Sequence, residues 1–133
     1  GKAGWWLIMV SFTISITPKP APRPRVNQYN VVYMPKDYKE YISEIQQQAN
    51  KYLLNYCSNE LLIIDVTFRK NASPRQKRFG DADNLLKGVM DALIGYAYHD
   101  DAQIVKANVS KVHSEDEGID IKIYTVNEFL EEG

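Results

Sequence analysis

The sequence has one cysteine, Cys57, and two histidines, His99 and His113, with no further ligand residue at metal-site spacing beside them. One cysteine cannot form an intramolecular disulfide, and no cysteine–histidine pattern of a zinc site is present. A glycine-rich phosphate loop and a dinucleotide-binding fingerprint are also missing, which excludes the common nucleotide-binding motifs. No apolar stretch has the length of a transmembrane helix. These absences favour a cytoplasmic protein without an organic cofactor.

The length of 133 residues, with 44% hydrophobic and 25% charged residues, is that of one folded domain. We place this domain at residues 9–126. Residues 1–8 are too short and too weakly charged for a signal peptide, and we interpret them as a non-native leader before a native start at Met9. Residues 127–133 are predicted to be a C-terminal tail with a short helical turn at most.

The net charge of −1 conceals an uneven distribution of charge along the chain. Five cations and no acid lie between residues 66 and 80, and a second basic group surrounds the proline-rich segment 18–25. A chain that is neutral in total can therefore have a basic face suited to nucleic acid. The candidate DNA-binding residues are Arg75, Lys77, Arg78, Arg23 and Arg25.

Hydrophobic periodicity predicts a single α+β domain. In chain order, the predicted elements are a strand at 10–17, a short strand at 31–33 hairpinned with the residues around Val26, a helix at 36–56, a strand at 61–68, a helix at 83–94, and two strands at 104–112 and 119–124 joined as a hairpin. The strand at 61–68 is apolar on both faces, which indicates a central position in the sheet. Two interpretations of segment 18–25 remain open, an exposed linker or a stiff basic arm that reaches phosphates.

The two predicted helices differ in the residues that line their faces. The stripe of the first helix that contains four tyrosines is expected to lie in the core, namely Tyr38, Tyr41, Tyr52 and Tyr56. The second helix is expected to bury Leu86, Val89, Met90 and Leu93 and to present a polar stripe of Asp83, Asn84, Lys87, Gly88 and Asp91. A glycine within a helix costs about 1 kcal/mol relative to alanine. A close approach of backbone or DNA would explain it at residue 88.

Carboxylates from separate positions in the sequence together indicate one type of reaction. Asp81 and Asp83 precede the second helix, Lys87 follows one turn later, and Asp100 with Asp101 come after a short connection. Mg²⁺ takes oxygen ligands, usually one or two carboxylates plus phosphate oxygens of the substrate. A lone D-x-D is weak support, but together these residues suit metal-dependent attack on a phosphodiester. Asp91 has a simpler explanation, an i,i+4 pair with Lys87.

The segment D-A-D-N-L-L-K-G-V-M-D-A-L-I-G-Y-A-Y-H-D-D-A-Q-I resembles the signature of the RusA-type Holliday-junction endonucleases, mostly of bacterial prophages and phages. The segments K-P-A-P-R-P-R-V and Y-M-P-K-D-Y-K-E-Y are similar to the opening of phage members. The resemblance implies a mixed sheet flanked by helices and a two-fold homodimer. It further implies cleavage of four-way DNA junctions by paired symmetric nicks with Mg²⁺ or Mn²⁺, leaving 5′-phosphate ends, in a bacterial host cell.

Carried over by position, the resemblance implies that Asp81, Asp83 and Asp101 are catalytic metal ligands and that Lys87 is the essential lysine. Asn84, Asp91 and Asp100 are candidates for supporting roles. The connection after Asp91 is one residue shorter than in other members, so both Asp100 and Asp101 are candidates for the metal-facing position. We expect the partner surface near the sheet edge or the long helix.

Two further functions remain as alternatives to junction resolution. The first is an endonuclease for other branched DNA, such as flaps, forks or D-loops. The second is a non-catalytic DNA-binding dimer, which is less favoured because clustered carboxylates repel phosphate.

Overall fold

A four-stranded mixed sheet forms the centre of the computed structural model, which describes residues 9–126. Its strands are β1 (Val10–Ile14), β4 (Leu62–Lys70), β5 (Ile104–His113) and β6 (Gly118–Thr125), in the order β1-β6-β4-β5. Strand β6 runs antiparallel to β1 and β4, whereas β5 runs parallel to β4. The predicted leader and tail lie outside the described residues.

Both helices, α1 (Lys36–Asn50) and α2 (Ala82–Ala92), pack on one face of the sheet. On that face, the alternate side chains of β4 from Leu62 to Phe68 are buried, whereas Asp65 and Thr67 on the other face remain partly exposed. One mixed sheet with two helices confirms the predicted α+β single domain and the central position of β4. No helix within residues 9–126 is both long and apolar enough to cross a membrane.

The core prediction for the tyrosine stripe is confirmed for Tyr38 and Tyr41, which are buried, and wrong for Tyr52, which is 51% exposed. The predicted end of the first helix is also wrong, since α1 stops at Asn50 and residues 51–56 form turns. Leu53 continues the buried stripe from one of these turns. Strand β1 is likewise shorter than predicted and ends at Ile14.

The predicted hairpin between the last two strands is wrong. Strand β4 lies between β5 and β6, which do not pair with each other. The connection crosses the end of β4, where the Ser114 N–H donates to the Lys70 carbonyl at 3.0 Å. Two alternating strands joined by a short turn usually pair with each other. Here a strand from an earlier part of the chain is inserted between them.

The predicted faces of α2 are rotated from the observed ones. The buried residues of α2 are Leu85, Gly88, Val89 and Ala92, whereas Leu86 and Met90 are only partly buried. Gly88 therefore faces α1 rather than solvent, and a side chain there would collide with the Tyr38 hydroxyl. The glycine permits close helix packing, so approach of DNA to this position is excluded.

The proline-rich segment is docked on the domain and leads into the predicted hairpin, here β2 (Arg25–Val26) and β3 (Val32–Tyr33). The Ala21 N–H donates to the Asn84 carbonyl of α2 at 3.1 Å. Pro20 packs against Gly80, where a Cβ atom would lie 2.9 Å from the proline ring. The interpretation as an exposed linker is therefore wrong for residues 18–22, which are held beside the start of α2, whereas Arg23, Pro24 and Arg25 are exposed.

Candidate active site

Asp81 and Asp83 lie at the N-terminus of α2, where both side chains are accessible from solvent. Asp81 is the N-cap residue, with φ −74° and ψ 144°, but its carboxylate does not make a capping hydrogen bond. Asp83 lies in the first turn, and both residues are exposed. Neither carboxylate has a hydrogen-bond or ion-pair partner within residues 9–126. An N-cap aspartate usually bonds a backbone N–H, so these two are available for another ligand.

Gly80 and Lys111 fix the chain just before this pair. Gly80 has φ +104°, a conformation that side chains disfavour, and its carbonyl accepts a 2.8 Å hydrogen bond from Lys111 Nζ. The same ammonium lies 5.2 Å from the ring centroid of buried Phe79. Sequence reasoning missed Lys111. The available signal was a lysine in register with buried Phe68, on the helix-facing side of β5.

The two residues of the second acidic pair, Asp100 and Asp101, differ in their hydrogen bonds. Asp100 Oδ1 accepts from the Ala102 N–H at 2.9 Å, and Gln103 Oε1 accepts from the Asp100 N–H at 3.1 Å, which forms a capping box. Gln103 Nε2 also donates to the carbonyls of Ser58 and Glu60, each at 2.9 Å. Asp101 is exposed, and its carboxylate has no hydrogen-bond partner in the described part of the chain. Asp100 is therefore occupied structurally, whereas the Asp101 carboxylate remains without a hydrogen bond within residues 9–126.

The two acidic pairs lie at opposite ends of strand β5. Asp101 is just before Ile104, which pairs with Leu62 where β4 begins, whereas Lys111 holds Gly80 near the other end. The strand rise from Ile104 to Lys111 is about 23 Å. Burial, followed by the charges of Asp101 and Asp91, raises the pKa of Tyr98, which is consistent with Asp101 lying near the C-terminal end of α2.

This separation explains why the predicted metal trio is not assembled within one chain. Residues 9–126 contain no group of three or more histidine, cysteine, aspartate or glutamate side chains placed to hold a metal ion. Asp81 and Asp83, one residue apart, fit the oxygen-donor preference of Mg²⁺ as an incomplete site. Within one chain, Asp101 lies at the opposite end of β5 from this pair.

Lys87 lies on the exposed side of α2, one turn after Asp83. Its Nζ is 3.7 Å from Asp91 Oδ2, and both side chains are largely exposed. The i,i+4 pair offered by the simpler explanation is therefore present. Such an exposed pair contributes about 0.5 kcal/mol or less, so it leaves the lysine available for a phosphate.

Only two of the five cations in residues 66–80 have unengaged side chains among the described residues, Arg75 and Lys77, which are exposed. Arg78 donates to the Asn71 carbonyl at 3.0 Å, and its own carbonyl accepts from Lys70 Nζ at 2.6 Å. Arg69 is paired with Asp120. Arg78 thus fastens the loop to its base, although the residue is exposed. Arg23 and Arg25 are exposed beside the docked proline segment.

The histidines and the cysteine make contacts of their own. His113 Nε2 is 3.1 Å from Asn71 Oδ1, and the Cys57 sulfur is 3.8 Å from both ring nitrogens of His99. These contacts occur at opposite ends of the sheet, since His113 pairs with Lys70 and His99 precedes the turn before β5.

Comparison with known proteins identifies the family. The family model of endodeoxyribonuclease RusA matches residues 15–124, a stretch that includes both acidic pairs and the docked proline segment. The YqaN protein of Bacillus subtilis (strain 168) is 45% identical over 47 residues, which cover 35% of this chain and 33% of that protein. The chain thus matches about a third of the length of this relative. Since the family model covers most of the chain, the protein belongs to the RusA endodeoxyribonuclease family.

Proposed function

We propose that the protein is a metal-dependent endodeoxyribonuclease that resolves four-way DNA junctions by paired symmetric nicks. The observation that carries this proposal is the availability of Asp81, Asp83 and Asp101, whose carboxylates lack hydrogen-bond partners within residues 9–126. Carboxylates left without partners on a surface repel one another and repel DNA. A cation bound between protein and phosphate offsets both effects, which disfavours a purely DNA-binding function.

Asp81 and Asp83 would hold Mg²⁺, for which Mn²⁺ is the expected substitute. When bound there, the cation would supply polarisation of the scissile phosphate and activation of water. Lys87 lies on the same side of α2 as Asp83, so its ammonium would offset charge that accumulates on the phosphate during cleavage. Arg75 and Lys77 would hold neighbouring phosphates against the repulsion of the acids.

The proposed homodimer follows from the distance between the acidic pairs. Strand β5 has ten residues, and no strand lies on its outer edge within residues 9–126. Val105 and Val112 on this strand are exposed. Two-fold antiparallel pairing of this edge with a second copy reverses the strand direction. The partner's Asp101 would then lie at the end of β5 that holds Asp81 and Asp83, and two complete sites would form.

Mixing two inactive variants tests this shared site. Asp81→Asn and Asp101→Asn homodimers should each be inactive, but subunit exchange should give heterodimers with one intact and one doubly altered site. We expect recovery of single-strand nicking in the mixture. If each site belonged to one chain, every heterodimer site would carry one substitution, and no activity would return.

The edge itself is tested by Val105→Lys, because a charge on an edge strand blocks pairing. We expect sedimentation as a monomer and loss of cleavage with an unchanged circular-dichroism spectrum. Leu54→Lys is the matched control, since Leu54 is also exposed but lies on a turn after α1. An active dimer with the Val105→Lys substitution would exclude this interface.

The reaction is tested on a synthetic four-way junction beside a linear duplex of the same arm sequence, with and without Mg²⁺. We expect nicks in opposed strands of the junction only with the cation, and ligase should seal them without prior phosphorylation. Equal cutting of flaps and forks would support the broader branched-DNA nuclease instead. Binding without any cutting in either Mg²⁺ or Mn²⁺ would overturn the enzymatic proposal.

A further inference from the structure

The β2–β3 hairpin carries an apolar surface that the domain does not cover. Tyr29 at its tip is 75% exposed, and Val32 is 64% exposed, with Val26 and Val31 similarly open. An isolated two-stranded hairpin is marginally stable in water. Exposed apolar groups concentrated on such an element indicate a binding surface.

Asn27 makes the tip rigid despite this exposure. Its side-chain oxygen accepts from the N–H groups of Tyr29 at 2.8 Å and Val31 at 3.0 Å, and the Asn27 N–H donates to the Val31 carbonyl at 3.1 Å. Asn30 adopts φ +61°, a left-handed conformation that asparagine tolerates. The ring of Tyr29 is thus presented on a preformed turn, which reduces the entropy lost on binding.

The hairpin is also connected mechanically to the candidate active site. In the docked segment a few residues before the hairpin, Pro20 contacts Gly80, and the Ala21 N–H bonds the first turn of α2. A ligand held at the hairpin would therefore have a defined position relative to Asp81.

Charge decides which ligand fits this surface. Of the cations around the hairpin, Lys19 and Lys36 are paired with Asp37 and Glu40 at 3.9 and 4.0 Å. Arg23 and Arg25 are exposed and have no ion pair within residues 9–126. In a two-fold contact the same surface meets itself, so a second copy would bring these cations together. A polyanion would gain from them, and every nucleic-acid base offers a face on which tyrosine can stack.

We propose that the β2–β3 hairpin binds the open bases at a DNA branch point, with Tyr29 stacked on a base and Arg23 and Arg25 on the adjoining phosphates. This inference rests on the proposed junction-cleaving function and identifies the element that distinguishes branched from linear DNA. Linear duplex has no unstacked base, so Tyr29 should contribute little to its binding.

The test compares Tyr29→Ala with Tyr29→Phe, which keeps the aromatic face. Binding is titrated without divalent cations on a junction that carries 2-aminopurine at the branch point and on a linear duplex. We expect Tyr29→Ala to weaken junction binding about 10-fold, within the range for loss of one base stack, and to abolish quenching of the probe. Tyr29→Phe should retain both, and duplex affinity should not change. Leu54→Ala, which removes an exposed apolar side chain elsewhere, is the matched control.

Wild-type cleavage separates failure of this inference from failure of the proposed function. If the wild type resolves junctions and Tyr29→Ala binds and quenches like it, the hairpin is not the branch-binding element. If Tyr29→Ala instead converts a wild-type dimer to a monomer in sedimentation, the hairpin is a subunit interface and the inference is overturned. A wild type without preference for junctions over duplex overturns both proposals.

Discussion

Two acid-rich regions of the molecule look alike in sequence and differ completely in structure. At the start of α2, Asp81 and Asp83 have carboxylates without partners within residues 9–126. At the turn into β6, Glu117 accepts from the Thr17 hydroxyl at 2.6 Å and from the Asn71 N–H at 2.9 Å. Asp120, in β6 itself, is held by Arg69 Nε at 2.9 Å. The presence of partners, rather than the number of acids, separates a ligand site from a structural clamp.

The clamp of Arg69, Glu117 and Asp120 has a clear mechanical purpose. Arg69 in β4 bonds Asp120 in β6, and its guanidinium also contacts Asp116 in the turn before β6. Glu117 ties this turn to Thr17, three residues after β1, and to Asn71 at the base of the loop that leads to α2. The partnered acids thus support the loop that precedes the unpartnered acids.

The difference between the two acid regions is tested most directly by substitutions at Asp81 and Asp83. Asn at either position keeps the shape of the side chain but removes the charge, so we expect cleavage to be abolished. Stability should stay within about 0.5 kcal/mol, as for surface sites without contacts. Single-turnover assays in Mg²⁺ beside thermal unfolding measure both effects.

Asp100→Ala is the control on a partnered acid. It should cost about 1 kcal/mol through loss of the cap. An Asp81→Asn enzyme that cuts at a rate near the wild type would contradict the metal-site assignment.

Lys87 gives the next largest expected effect. Lys87→Ala should lower the single-turnover rate roughly 10²-fold, the scale seen when one charge-stabilising donor is removed, with near-normal junction affinity. An interaction made mainly in the transition state affects rate rather than ground-state binding. Lys87→Arg should rescue poorly, because a planar fork does not replace a compact ammonium.

Asp91→Ala separates this function from the exposed ion pair. It removes the 3.7 Å pair while the lysine remains, so it should cost about 0.5 kcal/mol of stability or less and leave the rate unchanged. A normal rate in Lys87→Ala would show that Lys87 has no function in cleavage beyond its ion pair with Asp91.

Arg69 should show the opposite behaviour, an effect on stability without one on chemistry. Its side chain is only 18% exposed, and its removal leaves Asp120 without its main partner. We expect Arg69→Ala to cost about 1–3 kcal/mol in urea unfolding, as for hydrogen bonds to charged groups. The cleavage rate well below the melting temperature should persist. Arg75→Ala is the matched exposed cation and should be neutral; equal stability of the two variants would show that the clamp contributes nothing.

The two unengaged loop cations should alter affinity by a smaller amount. Replacing Arg75 and Lys77 with alanine should weaken junction binding and reduce its salt dependence, by about 0.9 in the log–log slope for each lost phosphate contact. The rate at saturating enzyme should hold. Lys51→Ala, at the far end of α1, serves as the control. An unchanged slope would show that Arg75 and Lys77 do not contact phosphates, and Arg23 and Arg25 would become the better candidates.

Elements with strong local periodicity could be predicted, and non-local pairings could not. The alternation in β1 and the apolar run of β4 sufficed to identify both strands. The turn after β5 could not reveal that β4 separates β5 from β6. Nor could α2 alone show that Tyr38 of α1 packs on Gly88. These contacts depend on residues distant in sequence.

Prediction of the candidate site from the sequence is limited in the same way. The motif identified both aspartates of the second pair, but their division of roles depends on Gln103, whose amide bonds the carbonyls of Ser58 and Glu60. The sequence resemblance also implied one metal trio, although the chain topology holds Asp101 far from Asp81. Residue types could thus be predicted, whereas their distances could not.

The smallest expected effect is the acid dependence of stability that the clamp causes. The hydrogen bond from Arg69 holds the pKa of Asp120 below its usual range, and the Thr17 hydroxyl does the same for the pKa of Glu117. Carboxyls with a lowered folded-state pKa stabilise the fold above the unfolded-state pKa. This stabilisation is lost as the pH falls through the folded-state value, below about pH 4.

Asp120→Asn should therefore flatten the decline of unfolding free energy below about pH 4 relative to the wild type. The change should be no more than about 1 kcal/mol, because Asp120 is partly exposed and its pair is screened by solvent. Urea unfolding at a series of pH values measures this slope for the variant and for the wild type. An equally steep decline in the two proteins would mean that the hydrogen bond from Arg69 does not couple Asp120 to folding, and the clamp would lose its proposed distinction from the exposed acids of α2.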